Sequence, residues 1–285
     1  MSNYHLGFVE RLSGHDLEML AALEQAPAAA EELRAVLARE PETIDILLAD
    51  PALYESIYEQ PRTGMIAGLS PHLAFAVLVH RTMRDLSSAT YVPEWTGAGE
   101  RLPVFDAASI REFIDDTTRR YQIAEFLNSF TKVASGSTWV RTERGYRKRR
   151  YSELDPIALA EMVESLPVAR RSGGYQRLGE VSLFLTGVFP DHTARHPMSP
   201  MHRVRLARLS GIGTEDVGDL DYVYFLERVG RSWYDMAASD PLLPTGLHGV
   251  LSDMAANFTQ ARRFLNYLTD RYLHRVDTGL MNPVV

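Results

Sequence analysis

Residues Ser70–Leu86 read SPHLAFAVLVHRTMRDL, and this stretch decides the fold. Serine before proline marks an N-cap followed by a first-turn position, where the N–H that proline lacks would have no intrahelical partner anyway. From Leu73 to Val79 the side chains are apolar all round, and charge begins only at Arg81. That pattern predicts a helix buried on every side, and such a helix needs others packed around it.

The neighbours are legible on both sides. Upstream, His15–Gln25 and Ala29–Ala38 set leucines three or four apart. Pro41-Glu42 opens a helix over Thr43–Ala49, and Asp50-Pro51 restarts the pattern as PALYESIYE. These helices are short and depend on a partner surface. Arg62–Leu69, with glycine at 64 and 68, reads as a loop, and Tyr91–Pro103 as a structureless junction broken by two prolines and two glycines.

Downstream, Asp106 is expected to cap one long amphipathic helix through Val133, with Ile110, Phe113, Ile114, Tyr121, Ala124 and Leu127 on its inner stripe. Asp155-Pro156 opens IALAEMVESL. A break over Arg170–Gly174 precedes a helix over Gln176–Val188. Pro190–Pro200 reads as a linker to the basic helix MHRVRLARLSG, which Gly211 ends. Two long helices, 220–238 and 247–276, finish the chain. The expected fold is mainly α, one compact helical domain over 1–285, with a single antiparallel β-hairpin near 137–152. Residues 1–60 are a candidate acidic helical subdomain and 91–103 a loop junction.

Composition sets limits on function. The chain has 285 residues, 45% of them hydrophobic, and no cysteine, which removes disulfides, thiolate nucleophiles and zinc fingers. Its longest apolar runs fall well short of the ~18–20 residues of a membrane span. The opening MSNYHLGFVERLSGHD lacks the basic leader and apolar core of a signal peptide, so a cytoplasmic location is expected. Lys132 and Lys148 are the only lysines among 30 basic residues, an arginine bias of the kind a GC-rich bacterial genome produces. The net charge of −7 is unevenly spread: residues 1–60 carry 3 basic and 12 acidic side chains, residues 141–208 carry 13 and 7. A basic middle lies between acidic ends.

The concentration of that middle is Ser137–Ser152, STWVRTERGYRKRRYS, with six cations and three aromatics in sixteen residues. Two strand-like runs flank Glu143-Arg144-Gly145, read as a three-residue turn with glycine in the left-handed position. In that register Arg141 faces Arg147 and Trp139 faces Arg149, gathering Trp139, Arg141, Arg147, Arg149 and Tyr151 on one face. Arginine beside aromatic rings suits carboxylate and phosphate, so the face is a candidate anion site, joined by Arg203 and Arg205 of the basic helix. Charge on an edge strand also deters aggregation, and the acidic ends of the chain compete for the same face. A nucleic-acid partner is disfavoured by the acidic balance and by the lack of an RRM, KH or zinc-finger pattern.

A second cluster, DHTARHPMSPMH over 191–202, puts His192 and His196 four residues apart, a spacing that allows both to chelate a metal, with Asp191 or Glu180 as a third ligand. No HExxH, nucleophile elbow, Walker loop or GxGxxG accompanies it. His72 and His80, two turns apart on the apolar helix, read as a buried or capping pair. Glu180, the lone charge of an apolar stretch, calls for Arg177 or Arg171 as partner. The leading expectation is a non-catalytic binding or scaffold protein with a basic surface for an acidic protein or a phosphate-bearing ligand, without cofactor or membrane, and with a homodimer open to it. The alternative is a small-molecule enzyme with an internal pocket, metal-assisted through His192 and His196.

Overall fold

In the computed structural model the described residues are 2–23, 29–59, 68–132, 135–142, 145–215, 217 and 220–273, with backbone alone at 2–3, 135–142 and 145–151. The fold is mainly α. Short helices α1 (Ser2–Val9), α2 (Gly14–Ala21), α3 (Ala30–Arg39), α4 (Thr43–Leu48) and α5 (Pro51–Tyr54) open the chain, and α5 runs on into a π-helical turn at Glu55–Glu59. The helix that decides the fold is α6 (Pro71–Ser88), with the Ser70 hydroxyl accepting from Leu73 N–H at 3.1 Å and Leu73–Val79 buried throughout. The expected loop at 62–69 lies largely outside the described residues.

The stretch 91–103 departs from expectation. It forms a second hairpin, β1 (Val92–Gly97) and β2 (Glu100–Val104), turning through Ala98-Gly99 with Gly99 at φ 84°. Pro93 and Pro103 are tolerated because each strand of a two-stranded sheet is an edge. Trp95 anchors the hairpin, fully buried, its indole N–H donating to Asp191 at 2.8 Å.

The expected long helix from Asp106 is two helices, α7 (Ala107–Asp115) and α8 (Thr117–Ser129). Asp116 leaves the helical backbone and caps α8, accepting from Arg119 N–H at 3.2 Å. Arg120 closes the break from the other side, its Nη1 donating to the carbonyls of Asp115 at 2.9 Å and Ile114 at 3.3 Å. Both ends of the interruption thus find the partners that exposed helix termini need. The basic hairpin follows as β3 (Ser135–Thr142) and β4 (Gly145–Ser152).

Next come α9 (Pro156–Glu164), capped by Asp155 as expected, and α10 (Arg171–Gly187). The expected break over 170–174 is absent. Gly173-Gly174 are helical, and a Cβ at Gly174 would lie 2.4 Å from Val163, so this glycine serves close approach of α9 to α10 rather than a turn. The short α11 (Pro190–Arg195) replaces the expected linker, and α12 (Pro200–Leu209) ends in a Schellman motif: Gly211 has φ 71°, and the N–H of Ile212 reaches Ala207 O at 3.0 Å. Helices α13 (Tyr222–Ala238), α14 (Thr245–Ala256) and α15 (Phe258–Leu268) complete the set. The last expected helix breaks at Asn257, whose amide donates to Asp253 O at 3.0 Å, and its expected end at 274–276 lies outside the described residues. Among the described residues no helix is long and apolar enough to cross a membrane.

The chain divides into two compact units: residues 1–92, 104–131 and 267–285, and residues 93–103 and 132–266. In the first, α6 is the core, packed on by α4, α5, α7 and α8. The capping box of α2 is tied into it, since fully buried Asp16 accepts from Ser13 N–H at 2.8 Å and from Ser70 N–H at 2.9 Å.

In the second unit α10 lies along α13 so closely that a Cβ at Gly230 would fall 2.6 Å from Ser182 and 2.7 Å from Phe258. Beneath that seam sits a buried cation. Arg262, 2% exposed, donates Nε–H to Glu227 at 2.7 Å and Nη2–H to Glu94 at 2.8 Å, while Glu94 also pairs with Arg263. Asn266, held by Arg262 at 3.1 Å, donates to the end carbonyls of α10, Thr186 at 3.0 Å and Gly187 at 2.7 Å.

Candidate functional site

The basic hairpin has a continuous antiparallel ladder from Ser135↔Ser152 to Thr142↔Gly145. Its register is one step tighter than expected. Gly145 pairs within the ladder instead of bulging from the turn, in keeping with the preference of hairpins for two-residue connections whose twist matches the strands. The residues 143 and 144 themselves lie outside the described set. Trp139 therefore pairs with Lys148, Val140 with Arg147, Arg141 with Tyr146 and Thr138 with Arg149.

One consequence is that the opposed pair Arg141–Arg147 does not arise, which removes a like-charge clash from the ladder. Another is that the five expected positions divide between faces. Positions 139 and 141 share a face with 146, 148 and 150, whereas 147, 149 and 151 share the other with 140. Within its own unit, among the described residues, the ribbon gains no third strand, and neither strand packs extensively on a helix.

The basic helix contributes less than its sequence suggests. Arg203 donates to Leu220 O at 3.0 Å and lies over the Tyr222 ring at 5.1 Å, while Arg205 pairs with Glu161 at 3.0 Å. Both cations are engaged by their own unit. His192 and His196 do come together, ring centroids 4.3 Å apart, but His196 Nδ1–H donates to His192 O at 3.0 Å. The carboxylates meant to complete a metal site are spent elsewhere: Asp191 on Trp95, Gly99 and Arg101, Glu180 on Gln176 at 2.9 Å and Arg177 at 2.8 Å. Among the described residues no group of three His, Asp or Glu is placed to hold a metal ion.

A further polar centre lies in the first unit, around Asp45 of α4. Its Oδ1 accepts from the Tyr121 hydroxyl at 2.5 Å and stands 3.4 Å from His80 Nε2, and its Oδ2 meets His5 Nε2 at 3.1 Å and Arg120 Nη2 at 3.3 Å. Burial alone would raise the Asp45 pKa. The neighbouring His80, together with hydrogen bonds from Tyr121 and His5, outweighs it and holds the carboxyl well below the usual range. The Tyr121 hydroxyl is driven far above its ordinary value, first by burial and then by the Asp45 charge. A carboxylate held by this many neighbours stays ionised and ties α1, α4 and α8 together. No local pattern announced this centre, because four separated segments supply it: His5, Asp45, His80 and Arg120-Tyr121.

Beside it α1, α6 and α8 enclose a cleft of about 70 Å³, walled by Phe8, His72 and Tyr121 and rimmed by the Arg11–Glu125 ion pair. His72 stacks on Phe8 at 4.3 Å with Nε2–H directed at Phe8 O, and its pKa is lowered by burial and then by Arg11. The volume is well below the ~300 Å³ at which small-molecule pockets begin. The chain matches no protein-family model, no curated protein and no solved structure.

Proposed function

We propose that this chain is a non-catalytic helical binding or scaffold protein that receives an acidic or phosphorylated partner on its basic hairpin. The observation that carries the reading is the ribbon itself: five cations, Arg141, Arg147, Lys148, Arg149 and Arg150, fall on the two paired strands, and among the described residues of its unit the sheet gains no third strand. An isolated two-stranded hairpin is marginal in water, and one crowded with like charge is more so; a polyanion that neutralises it contributes both charge-assisted hydrogen bonds and order. The internal engagement of Arg203 and Arg205 concentrates the reading on the hairpin. The ladder puts positions 139, 141, 146, 148 and 150 on one side of the ribbon and 147, 149 and 151 on the other, and in this reading each side is a candidate recognition face.

The test is fluorescence anisotropy with two labelled probes, a glutamate-rich peptide and a phosphoserine peptide, against the protein and two variants. One replaces Arg141, Lys148 and Arg150 by alanine, the other Arg147 and Arg149. Exposed ion pairs contribute up to about 1 kcal/mol each, so at least one variant should bind about tenfold or more weakly and with a shallower dependence on salt. Unchanged affinity in both variants refutes the proposal.

A further inference from the structure

The edges of the basic ribbon carry the charge reading a step further. Both strands are eight residues long and paired without interruption, so each presents along its outer side a row of backbone N–H and C=O groups that the ladder does not use. Proteins guard such edges with proline, bulges, short strands or charge. Neither strand contains proline, and the register has no bulge. Charge is the guard that is left, and it is unequal: β3 carries Arg141 alone, whereas β4 carries Arg147, Lys148, Arg149 and Arg150 in succession.

Four consecutive cations on a strand put two on each face. That arrangement repels a second copy of the same basic strand. It also sets cations opposite both faces of any strand added to that edge, where cross-strand pairs of opposite charge stabilise and like pairs destabilise. Among the described residues of segment 1–60 no acidic side chain lies in a β-strand, and most lie in helices α1–α5 or the π-helical turn that follows.

We propose that the outer edge of β4 captures an extended acidic segment of another protein as a third antiparallel or parallel strand, main-chain bonds supplying affinity and the cations at 147–150 supplying selection. This inference rests on the proposed function and adds to it a partner class and a mode, β-strand addition.

The experiment separates pairing from charge. The parent probe is a labelled octapeptide of glutamate, threonine and valine with acidic residues on both faces. Two analogues carry the same charge but bear backbone N-methyl groups on alternate residues, one set odd and the other even, so each silences the donors of one edge of the peptide. Strand addition uses one edge, so one analogue should bind about tenfold or more weakly than the parent while the other binds as the parent does. Amide hydrogen exchange at 145–152 should slow when the parent is bound. Equal binding of all three peptides, with no added protection, overturns strand addition and leaves a charged surface. Failure of the parent itself to bind overturns the acidic-partner reading beneath it.

Discussion

The two units each bury a charge, and they solve the problem in opposite ways. In the first, one carboxylate, Asp45, accepts from Arg120 and Tyr121, pairs with His5 and lies 3.4 Å from His80 Nε2, and its side chain keeps 26% exposure. In the second, one guanidinium, Arg262, sits between the carboxylates of Glu94 and Glu227 at 2% exposure. Arginine stays charged at any accessible pH, and burial, which opposes that charge, is outweighed here by Glu227 and Glu94, so its pKa is raised. The Asp45 carboxylate, by contrast, can be neutralised by acid, although its neighbours hold its pKa below the ordinary value. One centre is built on a cation that keeps its charge, the other on an anion that acid can remove.

The largest effect should come from the buried cation. Arg262→Met removes the cation shared by two largely buried carboxylates, leaving Glu94 with Arg263 and Glu227 with the Thr259 hydroxyl, and breaking a buried pair by deleting one partner costs about 3–5 kcal/mol. Denaturant unfolding should show that loss, and adding Glu227→Leu should recover part of it, since partners in one network are not additive. A cost below about 1 kcal/mol for Arg262→Met would mean that water reaches the site and that the contrast between the centres is false.

Asp45→Asn should cost less, about 1.5–3 kcal/mol, the usual value of hydrogen bonds to a charged group. The amide keeps one acceptor for Tyr121 but turns N–H groups toward His5 or Arg120. Arg120 retains the carbonyls of Ile114 and Asp115 and the Thr117 hydroxyl at 2.7 Å, which limits the damage. Hydrogen exchange should rise in α4 and α8 and remain unchanged in α13; equal loosening of α13 would contradict a local role.

How much of this was legible depended on whether the cause was local. The cap, the proline and the apolar run of α6 lie within a dozen residues, and the helix stands where they put it. The breaks at Asp116 and Asn257 hinge on single polar side chains that take a backbone group from the helix, and nothing in the apolar stripe marks them. Prolines 93 and 103 concealed β1 and β2, because their compatibility with an edge is evident only once the sheet is known to have two strands. The cations of the basic hairpin were readable from composition. Its register was not, since one residue of difference at Gly145 moves every partner. The Asp45 centre is assembled by tertiary contact among remote segments, which no spacing encodes.

The smallest effect concerns pH, and it tests the contrast most directly. His72, in the same unit as Asp45, has its pKa lowered below 6.5, burial acting first and Arg11 next against the imidazolium. Below pH 6.5 the unfolded chain therefore binds a proton that the native chain refuses. The stability contributed by neutral His72 is complete above that pH and declines as the pH falls below it. Asp45 adds a second loss: its folded pKa lies below the ordinary 3.8, so its contribution is present above 3.8 and is withdrawn as acid takes the pH beneath that value. Arg262 loses nothing over either interval, because its charge persists in both states. Hydrogen exchange corrected for intrinsic rate should therefore show protection in α6 falling between pH 7 and pH 5 while protection in α15 holds. His72→Phe, which keeps the stacking on Phe8 but cannot take up the proton, should flatten the α6 response. A response that survives this substitution would assign the acid sensitivity to another group.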